Sequence, residues 1–148
     1  MPLIDEPLQD IREITAIVQR INEAKLLSCI ALDQEGPYGT LVDALDEIGV
    51  NEESEQIVGI GQGYKLMNAI KTVGVKVKNG TFRHSRSRMM DWSCSNVKIE
   101  PTATGLRATK QNAGDAKIDP WCALMDAATV MARNPTVKRI PEYTVMFV

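Results

Sequence analysis

Histidine is nearly missing from this chain, nucleotide-phosphate fingerprints are missing altogether, and no apolar run is long enough to cross a membrane. The 148 residues hold one histidine, His84, and three cysteines, Cys29, Cys94 and Cys122, which lie far apart without a C-x-x-C pair. That inventory supports neither a disulfide framework nor a structural zinc site. Neither G-x-x-x-x-G-K-[ST] nor G-x-G-x-x-G occurs, so Gly59, Gly61 and Gly63 read as a strand-to-helix turn rather than a phosphate loop. Serine or cysteine nucleophilic catalysis has no G-x-S-x-G elbow to work from, and His84 sits unpartnered in a basic stretch. The acidic start "MPLIDEPLQDIRE" lacks the regions of a signal peptide, and the absence of any ~20-residue apolar segment predicts a cytoplasmic protein without a membrane partner. Aromatic residues are 5% of the chain, with no ladder for base stacking, so Tyr64 and Trp121 read as turn or core residues.

What is present is charge, unevenly placed. Residues 1–60 carry 13 Asp/Glu against three Lys/Arg, whereas the remainder carries six against 14, for a net charge of −2. Such asymmetry suits a protein with carboxylates in one place and a polyanion contact in another. The densest basic stretch, "KTVGVKVKNGTFRHSRSR", holds Lys71, Lys76, Lys78, Arg83, Arg86 and Arg88. A solvated helix face followed by a loop would look the same.

Periodicity orders the elements. Asp10 and Glu13 form a capping box before Ile11, Ile14, Ile17, Val18 and Ile21, an amphipathic helix. A buried strand over Leu26–Asp33 leads to Gly36-Pro37, then a helix over Tyr38–Ile48 stopped by Gly49, then a strand in "EQIVGI". Leu66, Ile70, Val73 and Val77 mark the next helix face. "NVKIEPTATGLRATK" alternates about Thr-Gly as a hairpin from Asn96 to Lys110, and "KQNAGDA" reads as a loop. A last helix spans Asp119–Arg133 before Asn134-Pro135, and "YTVMFV" closes the chain as a candidate strand. Helix and strand alternating in this way predict parallel strands joined by crossovers, an α/β domain over residues 1–135 with a tail over 136–148.

Two acids stand out. Asp33 ends a parallel strand, at the sheet edge where ligands collect, and Asp119 opens the last helix. Carboxylates converging there would suit Mg²⁺ or Mn²⁺, which take oxygen ligands and leave places for water and phosphate. An N-cap is the plainer role for Asp119, with Pro120 in the first helical turn. Asp126 is a second acid within that apolar helix.

Taken in order, "IALDQEGPYGTLVDALDEIGV", "IVGIGQGYKLMNAIKT", "NGTFRH" and "SNVKIEPTATGLRATKQNAGDAKIDPWCALMDA" resemble the C-terminal nuclease part of the large terminase subunit of tailed bacteriophages. The most specific pieces are the Q-G-aromatic-K turn at Gln62–Lys65 and the stretch from Thr109 to Pro120. The resemblance implies a partial ribonuclease-H-like fold: a short, mostly parallel sheet flanked by helices, plus a β-hairpin. It implies a metal-dependent endonuclease that cuts concatemeric DNA with two Mg²⁺ or Mn²⁺ ions, beside an ATPase motor, a small terminase subunit and a portal. The family's strand-end acid and last-helix acid carry over onto Asp33 and Asp119, which reverses the balance against the cap. Arg86, Arg88, Lys110 and Lys117 become candidates for contacts to the phosphates of double-stranded DNA.

The resemblance also implies a further aspartate on a leading strand that would lie before this chain begins, and Asp5, ahead of the first helix, is not expected to replace it. The expectation is therefore a fragment whose cleavage is impaired, or a catalytically incomplete DNA-binding module. A sheet without its leading strands also bares an edge beside Leu26–Asp33, which predicts a homo-oligomer or strand exchange.

Overall fold

A computed structural model describes residues 8–111 and 116–137. Asp5, the centre of the "KQNAGDA" loop and the "YTVMFV" segment lie outside the described residues.

The element order is α1 (Gln9–Glu23), β1 (Ile30–Asp33), α2 (Tyr38–Asp46), β2 (Ile57–Ile60), a 3₁₀ turn (Gly63–Leu66), α3 (Met67–Lys78), α4 (Arg88–Ser95), β3 (Val97–Thr102), β4 (Gly105–Lys110) and α5 (Asp119–Met131). β1 and β2 pair in parallel, with Ile30 opposite Ile57 and Asp33 opposite Ile60. β3 and β4 form the antiparallel hairpin, closed from Thr102–Gly105 to Val97–Lys110. The α/β expectation, the crossover and the hairpin all hold.

Alternation along the two parallel strands builds a layered core. Leu32 and Ile57 pack with Val18 of α1 and Leu27, Leu45 and Val50, with Ile30 beside them. Ala31, Val58 and Ile60 turn the other way, onto Leu66, Ala69 and Val73 around α3 and Trp121, Met125 and Val130 of α5. Period two places Asp33 on the same face as Ala31, toward α5. Its register partner Ile60 lies in that same cluster.

Several local expectations are corrected. The capping box is not formed: α1 begins at Gln9, its N-cap Leu8 carries no side-chain cap, and Asp10 Oδ1 instead accepts from the Ile11 N–H at 2.9 Å. Asp10 thus lies inside the first turn, where its charge still favours the helix dipole. The first strand is four residues rather than eight, because β2 pairs only with Ile30–Asp33. α2 ends at Asp46, and Gly49, at φ 75°, lets the Val50 N–H return to the Leu45 carbonyl at 3.0 Å. Leu66, at the end of the 3₁₀ turn, and Val73 of α3 are buried as the spacing requires, but Val77 is exposed. α4 was not foreseen.

The α1 stripe is only partly covered. Val18 is buried, while Ile14, Ile17 and Ile21 face an open apolar groove of about 780 Å³ with Leu26, Ile30 and Met131. Among the described residues, β1 is paired on one edge alone.

Candidate functional site

Asp33 reaches the C-terminal end of the parallel sheet because the chain must turn there. Its Oδ1 accepts from the Glu35 N–H at 2.8 Å, and the Gln34 N–H reaches the Ile60 carbonyl at 3.1 Å. One carboxylate oxygen is thereby fixed by its own turn.

Asp119 is the first residue of α5, with Ile118 as the N-cap and no side-chain cap there. The capping role falls to another element. Ser93 of α4, fully buried, accepts from the Trp121 N–H at 3.1 Å, and the helix ladder starts with the Cys122 N–H to the Ile118 carbonyl at 2.9 Å. A hydroxyl from α4 satisfies the orphan donor that an N-cap aspartate would have taken. Among the described residues, the exposed Asp119 carboxylate has no hydrogen-bond or ion-pair partner.

The two acids share a neighbour. Cys122, one turn into α5, has its thiol pushed up to about 11, first by burial, then by Asp126, Asp119 and Asp33, with Lys110 opposing. Asp119, Cys122 and Asp126 follow i, i+3, i+7 spacing and so share one helix face, the one that meets Asp33. Asp126 is 3% exposed and accepts from Gln62 Nε2 at 3.1 and 3.3 Å. Burial raises its carboxyl above the usual range, the Gln62 bond opposes that, and Asp33 adds to the rise.

The basic candidates divide. Lys110 ends β4 close enough to oppose the acids at Cys122, and Lys117 lies two residues before Asp119, its carbonyl accepting from Asn96 Nδ2 at 3.1 Å. Arg88 opens α4, whose other end meets the start of α5, so it stands about 10 Å along that helix from Ser93 and Asn96. Arg86 sits just before it at φ 54°, its N–H donating to His84 Nδ1 at 3.2 Å. Among the described residues these four cations form no ion pair, whereas Lys98 and Arg107 are tied to Glu100 at 2.9 and 3.6 Å.

The Q-G-aromatic-K turn lies beside this end of the sheet. A Cβ on Gly61 would fall 2.5 Å from Lys65 Cδ and 2.7 Å from its Nζ, so the absence of a side chain lets Lys65 fold back over the backbone after β2. Tyr64 is exposed.

Sequence reasoning noticed Asp126 without assigning it a partner, and it overlooked Ser93. The first had a signal, an acid seven residues after Asp119 on an apolar helix. Ser93 had none, because its role exists only once α4 docks on α5.

As to a cation, the carboxylates of Asp33, partly engaged by a backbone N–H, and of Asp119, open, are the kind of oxygen donor a hard divalent ion takes. Mg²⁺ is commonly held by one or two carboxylates with water and phosphate completing the shell, so the pair fits that ion. Among the described residues no group of three or more His, Cys, Asp or Glu is arranged to hold a metal.

A scan against protein-family models finds no match, and a search of curated proteins finds none. A search of solved structures finds the crystal structure of the HK97 bacteriophage large terminase, with a TM-score of 0.65 and 21% identity over 81% of this chain and 24% of that protein. The chain thus corresponds to about a quarter of that protein's length. With its short parallel sheet, flanking helices and antiparallel hairpin, it carries the partial ribonuclease-H-like fold of a segment of a phage large terminase.

Proposed function

We propose that this chain is the nuclease part of a phage DNA-packaging terminase and cuts double-stranded, concatemeric DNA with the help of Mg²⁺ or Mn²⁺. What supports the reading is that Asp33 ends β1 and Asp119 opens α5, that both act on the Cys122 thiol, and that the cap of α5 is supplied by Ser93 instead of Asp119. The fold likeness to a large terminase supports the same assignment.

When bound, divalent cations supply charge stabilisation for phosphodiester displacement by water. Asp33 and Asp119 would hold the cations, Asp33 with one oxygen braced by the Glu35 N–H. Lys110 and Lys117 hold phosphates next to the acids, and Arg86 and Arg88 hold the duplex further along without reading its sequence. The partners in this reading are double-stranded DNA, a small terminase subunit and a portal, in the host cytoplasm, with self-association through the open groove.

A second reading is a DNA-binding module with an incomplete catalytic centre, since no group of three or more His, Cys, Asp or Glu among the described residues is arranged to hold a metal. Plasmid cleavage with Mn²⁺ separates the two. Weak nicking that disappears in Asp119→Ala supports the nuclease. Duplex binding without nicking at any Mn²⁺ concentration supports the module. In either case the four cations should give sequence-tolerant binding that weakens steeply with salt, the slope falling by about one for each contact removed. Binding indifferent to salt would remove Arg86, Arg88, Lys110 and Lys117 from the interface.

A further inference from the structure

We propose that Gln62 and Asp126 form a strut that positions Asp119 against Asp33, acting on the cation site through α5 rather than as donors to the ion. This rests on the cation-dependent reading above. An acid at a core position is costly, because an ionised carboxylate loses its hydration there and an apolar side chain would fill the space at no such cost. Asp126 is nevertheless only 3% exposed, and both its oxygens lie within reach of one amide, Gln62 Nε2, at 3.1 and 3.3 Å.

The two ends of that bond explain its use. Gln62 stands two residues beyond Ile60, the register partner of Asp33, so it belongs to the sheet end that carries the first acid. Asp126 stands two turns along the helix whose first residue is the second acid. Apolar contacts with Ile60, Leu66 and Val73 fix the distance of α5 from the sheet but are non-directional. A shift of one residue in the helix's rotation turns its face by about 100° and would swing Asp119 away from Asp33. The directional bond between the turn after β2 and the buried face of α5 excludes that rotation.

The test is Mn²⁺ titration of the full chain by calorimetry, with thermal unfolding measured alongside. The variants are Asp33→Asn, Asp119→Asn, Gln62→Leu, and the polarity swap Gln62→Glu with Asp126→Asn. Gln62→Leu should weaken Mn²⁺ binding about tenfold or more, the range seen when groups supporting metal ligands are lost. The swap returns the bond with donor and acceptor exchanged and leaves the net charge unchanged, so it should bind within about threefold of the unaltered chain. Gln62→Leu binding Mn²⁺ like the unaltered chain overturns the strut, as does a folded swap variant that stays tenfold weaker. If Gln62→Leu does not fold, the swap variant alone decides. The cation reading fails separately: an unaltered chain that binds no Mn²⁺, or binds it equally well in Asp33→Asn and Asp119→Asn, overturns that reading and the strut together.

Discussion

Burial first, and then the charges of Asp126, Asp119 and Asp33, make the Cys122 thiol ionise late, with Lys110 in opposition. With its pKa pushed up to about 11, roughly one thiol in a thousand is thiolate at pH 8. Iodoacetamide should therefore label Cys122 far more slowly than an unhindered cysteine, as followed by mass spectrometry of its peptide. Asp33→Asn and Asp119→Asn should each speed that labelling about twofold or more, since each removes a negative charge that disfavours the thiolate. A rate unchanged in both variants would place the acids away from the sulfur. Asp126 carries a pH signature as well. Its carboxyl is raised in the fold, so the folded state holds the proton more tightly than the unfolded chain does. Ionisation then costs stability: the cost is absent below the ordinary carboxylate range and grows as pH rises through the raised value. Asp126→Asn, which keeps an oxygen for Gln62, should raise the melting temperature at pH 7, with the advantage fading toward zero below about pH 4. An advantage independent of pH would count against burial of the charge.

Among the elements, α5 depends most on borrowed contacts. Its Trp121 N–H is satisfied by Ser93 of a different helix, so Ser93→Ala should destabilise the fold by about 1–2 kcal/mol, read by denaturant unfolding. A loss below a few tenths would mean that water replaces the hydroxyl. Ser93 also shows where sequence reading stops. α1, α2, α3, α5, both parallel strands and the hairpin were legible because each repeats apolar residues at its own period, as with Ala31 against Leu32 or Leu66 and Val73. α4 was not, because Arg88–Ser95 is eight residues long, leaves Met89 and Trp92 exposed, and is held by docking on α5 rather than by a pattern of its own. The same limit applied at the site. Asp33 and Asp119 could be named from strand end and helix start, but the freedom of Asp119 from capping depended on α4, and the Gln62 partner of Asp126 on a contact 64 residues away.

At the scale of the molecule, the groove between α1, β1 and α5 leaves apolar side chains uncovered among the described residues. Ile17 is 48% exposed, Leu26 72% and Met131 66%, beside a strand edge without a partner among the described residues. Contiguous apolar surface next to a free edge favours self-association. Light scattering should find dimers or larger species for the full chain, and Ile17→Lys, at the middle of the stripe, should shift them toward monomer. A monodisperse monomer for the unaltered chain, at concentrations of hundreds of micromolar, would rule the association out. α5 runs from one end of this arrangement to the other: its first residue, Asp119, stands at the acids, and Val130 and Met131 line the groove. A 13-residue helix is a rod of about 20 Å. Whatever settles into the groove bears on the same rod that presents Asp119. If an occupant of the groove strengthens cation binding at the other end of the helix, reciprocity requires that the cation strengthen the occupant's binding by the same factor.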